Sequence, residues 1–125
     1  MNHGIFTMSF QYSIKHDDGC VSTKFIFTLE NDITCTIEMS EDEPAADTLA
    51  EWATFIYHVE NNSKGSIVFD DCNGQVSIET ADGKTSFFVS RGGGDGYGDI
   101  NITVPNTVCS PMFKNMVAEI KKIET

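Results

Sequence analysis

No stretch of this sequence stays apolar for long. Its hydrophobic runs fall far below the roughly 18 residues of a membrane-spanning helix. The start, Met1-Asn2-His3-Gly4, lacks the basic residues and apolar core of a secretion signal. The expected location is therefore cytoplasmic, with no membrane partner. Cationic side chains are also scarce: 8 Lys and Arg stand against 19 Asp and Glu, for a net charge of −11. Between Lys24 and Lys64 there is no Lys or Arg at all. That span holds Glu30, Asp32, Glu38, Glu41, Asp42, Glu43, Asp47, Glu51 and Glu60. Such a field repels nucleic acid and attracts basic surfaces.

The 4 cysteines, Cys20, Cys35, Cys72 and Cys109, form no CxxC pair and stand at no zinc spacing with histidine. Without an export signal they read as reduced, structural thiols, and no metal or cofactor is expected. Catalytic signatures are missing too. His16 lies in an acidic turn beside Asp17 and Asp18. His58 falls near the end of an expected helix, where a partly charged imidazole is favoured without any function. No serine or cysteine stands in a nucleophile pattern. A carboxylate pair in a cleft is the one enzymatic alternative that the many acids leave open.

Glycine is concentrated in one place. Ser90 to Asp99, SRGGGDGYGD, holds five glycines in ten residues. A dinucleotide fingerprint would have to open a helix, whereas an alternating strand follows here. The nearby Gly83-Lys84-Thr85 lacks the glycine five residues earlier that a phosphate loop needs, where Ile78 stands. Calcium-repeat register fails as well, because Gly98 occupies the aspartate position. Two readings remain: a long hairpin turn, or a contact loop presenting Arg91, Asp95, Tyr97 and Asp99.

Apolar residues elsewhere keep clear periods. Phe6 to Ile14 alternate, as do Phe25 to Leu29 and Ile33 to Met39. Leu49, Trp52, Ala53, Ile56 and Val59 follow helical spacing after Pro44. Phe55 and Tyr57 stand off that stripe, either as a contact patch or packed under a neighbouring loop. Four further strands centre on Ile67, Val76, Phe87 and Ile102, separated by Asn-Gly, Asp-Gly and the glycine stretch. Ser110 and Pro111 mark the expected start of a last helix with Phe113, Met116, Val117, Ile120 and Ile123 inward. The expected order is βββα-ββββα. The fold class is α+β: an antiparallel sheet of about seven strands with two helices on its apolar face, in one domain spanning 1–125. Ser13-Ile14 and Asp18-Gly19 recur as Ser77-Ile78 and Asp82-Gly83 at one offset, a hint of internal repetition.

The helix from Ala45 to Glu60, the strand Gln75-Val76-Ser77-Ile78-Glu79, two more strands and a closing helix resemble, in order and acidity, the small WapI-like immunity proteins of bacterial toxin systems. That family's terminal glutamine-centred signature is absent, so no functional residue carries over. The resemblance implies an inhibitor. Together with the charge it points to a non-catalytic, acidic protein-binding module that meets a basic partner through Glu38, Glu41, Asp42, Glu43, Asp47 and Glu51. The alternatives are a small-ligand domain using the glycine stretch and a structural subunit of an assembly.

Overall fold

A computed structural model describes residues 9–17, 20–28, 34–42, 46–71, 74–93 and 96–124. The order matches expectation: β1 (Ser9–Asp17), β2 (Cys20–Thr28), β3 (Thr34–Asp42), α1 (Ala46–Glu60), β4 (Gly65–Asp71), β5 (Gly74–Ala81), β6 (Lys84–Gly93), β7 (Gly96–Pro105) and α2 (Asn106–Glu124). The strands form two antiparallel sheets, β1-β2-β3 and β4-β5-β6-β7, each in chain order. α1 interrupts the run of hairpins, and α+β architecture results.

All seven strands and both helices feed one hydrophobic cluster. α1 packs on β4 and β5, α2 on β1 and on β6 and β7, and the helices touch each other. Phe113 of α2 sits at the meeting point. Its ring centroid lies 5.5 Å from Trp52, 5.8 Å from Phe55, 6.0 Å from Phe25, 6.1 Å from Phe87 and 6.3 Å from Phe10. Phe10 also stacks on Phe27 at 4.8 Å. Cys109 is buried in the same cluster, and burial pushes its thiol up to about 12 against the opposing hydrogen bond from Thr85. It therefore stays protonated at neutral pH and serves as packing.

The repeat hinted at by Asp-Gly extends through the strand ladders. Phe10 pairs with Phe27 and Ile14 with Thr23. Sixty-four residues on, Gly74 pairs with Arg91 and Ile78 with Phe87, in the same register. The inward helix positions also recur: Trp52, Phe55, Ile56 and Val59 correspond to Phe113, Met116, Val117 and Ile120, each 61 residues later. The turn between β5 and β6 has positive φ at both Asp82 (52°) and Gly83 (80°), the backbone that a two-residue hairpin needs to match strand twist.

Three expectations change. α2 begins at Asn106, not at Ser110, and Pro111 lies inside it. Asn106 is a competent helix starter whose partners come from distant strands, so the local Ser-Pro signal misplaces the boundary. Phe55, off the apolar stripe, is buried (1% exposed), while Ala53, on it, is exposed. The core wraps α1 on two sides, sheet and α2, and so takes a wider arc than one stripe. Lastly, the glycine stretch is mostly ladder: Ser90 pairs with Asp99, Arg91 with Gly98, Gly92 with Tyr97 and Gly93 with Gly96. Only residues 94–95 separate β6 from β7. Backbone hydrogen bonds outweigh glycine's freedom there, because each half already carries an alternating strand.

Candidate interaction surface

α1 ends in a defined way. Asn62 adopts φ 54°. The Ser63 amide donates to the His58 carbonyl at 3.0 Å, and the Asn62 amide donates to the Val59 carbonyl at 3.4 Å. This double closure satisfies carbonyls the helix leaves open. It also turns Ser63 back, so that its hydroxyl shares a 2.8 Å hydrogen bond with His58 Nδ1. β4 starts directly beneath. A Cβ on Gly65 would stand 2.7 Å from His58 Cδ2 and 3.0 Å from His58 Cβ, so glycine is what lets strand and helix approach. Gly65→Ala is expected to lower stability by about 1–3 kcal/mol through this overlap, read from denaturant midpoints.

Behind this junction lies a buried polar knot. Asn106 Nδ2 donates to the Val59 carbonyl and to Thr80 Oγ1, both at 3.1 Å. Thr85 Oγ1 donates to Asn106 Oδ1 at 2.7 Å, and Thr80 Oγ1 to the Lys84 carbonyl at 3.2 Å. The Asn106 amide donates to the Gly83 carbonyl at 2.9 Å. One asparagine thus ties the end of α1, the β5–β6 hairpin and the start of α2. Strand alternation puts Thr80 and Thr85 on the inward faces of β5 and β6, yet hydroxyls there give no hint of a partner 26 or 21 residues away.

Above the Gly65 junction a groove of about 300 Å³ runs between α1 and the first residues of β4. Ala50, Glu51, Thr54, His58, Gly65 and Ser66 line it, over buried Phe55. Glu51 is its acid and is exposed; Tyr57, 60% exposed, lies outside the lining, its ring edge-on to the His58 ring at 5.5 Å. Asp47, Glu51, Thr54 and His58 follow at helical spacings, one face of α1. A second, open hollow of about 890 Å³ lies on the outer face of the larger sheet, with Lys64, Glu79, Asp82, Lys84 and Phe88 around it. Its charges are of both signs.

The expected acidic residues fall on two consecutive elements. Glu38 is exposed on β3 and accepts from Ser22 Oγ at 3.0 Å. Glu41 and Asp42 close β3, opposite Val21 and Cys20, and Asp47 lies in the first turn of α1. Asp42 and Ala46 are four residues apart, so the two elements meet within about 14 Å. Among the described strands β3 has a neighbour on one side only, so the acids run along an edge. Glu43 and Asp95 lie outside the described residues. Arg91 stands on β6, and Tyr97 and Asp99 stand on β7, at the far end of that hairpin; the ladder places them in register but defines no cleft. Sequence reasoning weighs Phe55 and Tyr57 together as a contact patch or as packing; Phe55 is buried and Tyr57 is exposed. The Gly65 junction is what it misses.

No helix among the described residues is long and apolar enough to cross a membrane. No curated protein matches the sequence. A chain in the Trypanosoma bruciei MRP1/MRP2 crystal structures is similar in fold, with a TM-score of 0.50 and 12% identity, over 93% of this chain and 83% of that one. A family model described as a family of unknown function, DUF5766, matches residues 36–115, from β3 into α2. That is 80 of 125 residues (115 − 36 + 1), so the chain belongs to the DUF5766 family.

Proposed function

We propose that this protein is a non-catalytic binding module of the cytoplasm that neutralises a basic protein partner, in the manner of immunity-type inhibitors. The observation that supports this reading most is the placement of the acids. They occupy an edge strand and the helix that follows it, in a chain of net charge −11 with no Lys or Arg between Lys24 and Lys64. The repeat sharpens the point. At the 61-residue spacing of the helices, Asp47, Glu51 and Thr54 correspond to Val108, Met112 and Asn115. The architecture therefore builds this helix face without acids, and α1 carries them for another reason.

The test is binding of the basic protein that co-purifies with the tagged chain from its native cell. Affinity is expected to fall at least tenfold as salt rises from about 50 to 200 mM, since the Debye length shortens below the span of the patch. Neutralising Glu41, Asp42, Glu43 and Asp47 to Gln and Asn is expected to lower affinity at least tenfold at low salt. Unchanged affinity in that variant would sink the reading. So would tighter binding of a fluorescein-labelled single-stranded oligonucleotide than of the protein.

A further inference from the structure

The groove between α1 and β4 offers more than general charge. Building on the reading of the chain as a binding module, we propose that this groove is the anchor pocket for an arginine side chain of the basic partner. Four observations converge. The groove holds about 300 Å³, a volume that suits one side chain. Glu51 supplies the carboxylate, the acceptor shape that a planar guanidinium matches with two parallel hydrogen bonds. The His58 ring lines it, and a guanidinium stacks on such a planar face where an ammonium gains less. Hydroxyl oxygens of Thr54 and Ser66 provide further acceptors, Thr54 already donating its proton to the Ala50 carbonyl at 3.1 Å.

The position is built rather than incidental. Gly65 lacks the Cβ that would collide with His58, and the helix end holds His58 against Ser63. Asp47 lies one turn before Glu51 on the same face, so an approaching cation meets the acid run before it reaches the groove. The chain's one arginine, Arg91, stands on β6, and no described residue of β6 lines the groove, so the occupant is a partner's arginine.

The test uses the full chain, isotope-labelled, titrated with the peptide acetyl-Gly-Arg-Gly-amide and with its lysine and citrulline counterparts. Arginine peptide is expected to shift the amides of Ala50–His58 and Gly65–Ser66. Lysine should do so at several-fold higher concentration, and citrulline, uncharged but of equal shape, not at all. Glu51→Gln, at an exposed position, should weaken the shifts at least threefold while the rest of the spectrum stays in place. Shifts scattered over all acidic positions, an equal response to lysine and arginine, or no response overturn the proposal. The two readings fail separately. If partner affinity falls in the Glu41, Asp42, Glu43 and Asp47 variant but not in Glu51→Gln, the pocket is wrong and the acidic module stands.

Discussion

Phe113→Ala is expected to lower stability by about 3–5 kcal/mol, with a fall in Tm of roughly 15 °C. The size follows from the site. Phe113 is fully buried and touches five aromatic rings drawn from both sheets and α1. Truncation removes the transfer free energy of a benzyl group and leaves a cavity. Its walls come from β1, β2, β6 and α1, so they cannot collapse together. A domain of this size holds about 5–15 kcal/mol in all. Phe113→Leu keeps most of the volume and should cost roughly 1–2 kcal/mol. Thermal and denaturant unfolding of both variants check this. Equal, small losses would show that the two sheets do not share the core through this side chain.

Asn106→Ala is the second large effect, expected at about 2–4 kcal/mol, because three buried groups lose a partner together. The Val59 carbonyl loses a donor, Thr80 Oγ1 loses a donor and Thr85 Oγ1 loses the nearer of its two acceptors, Thr80 Oγ1 at 3.1 Å being the other. The Asn106 backbone bond to Gly83 survives, so helix initiation persists while the knot opens. Adding Thr80→Val to Asn106→Ala removes a hydroxyl that has already lost its Asn106 partner. The double variant should therefore lose less than the sum of the two single losses. Strict additivity in a denaturant double-mutant cycle would contradict the knot. Hydrogen exchange should report the opening first at the β5–β6 hairpin and the end of α1, the two parts the amide side chain joins.

By contrast, the contacts at the rim are minor. The Lys114–Glu60 pair joins the helices but stands in solvent, where such pairs contribute at most about 1 kcal/mol. Tyr12 donates to Glu119 between β1 and α2. Burial, and then the Glu119 carboxylate as acceptor and as charge, push that phenol up to about 12. The phenol thus stays protonated across the physiological range.

Periodicity is a sound guide wherever one force acts along one element. Alternation in β1, β5 and β6 reflects a single buried face, and Asp82-Gly83 reflects a turn that demands positive φ. The element order, the antiparallel neighbours and most of the Trp52 and Phe113 core are readable for that reason. The acidic run is equally plain, since charge needs no neighbours to be counted.

What stays hidden depends on residues far apart in the chain. The helix between β3 and β4 is legible in the sequence, but whether the strands on its two sides pair is decided only on packing, and they form two sheets. The true start of α2 depends on Val59, Thr80 and Thr85 being in reach of Asn106. Whether Phe55 or Tyr57 turns inward depends on α2 and β4 lying on particular sides of α1. The groove exists because Gly65 passes under His58, two residues whose closeness is set by how the helix ends. Short-range sterics and solvent exposure write themselves into a chain's periodicity, and so the elements and their buried faces are legible. Long-range contacts satisfy buried polar groups and shape pockets, and these emerge only when the elements pack.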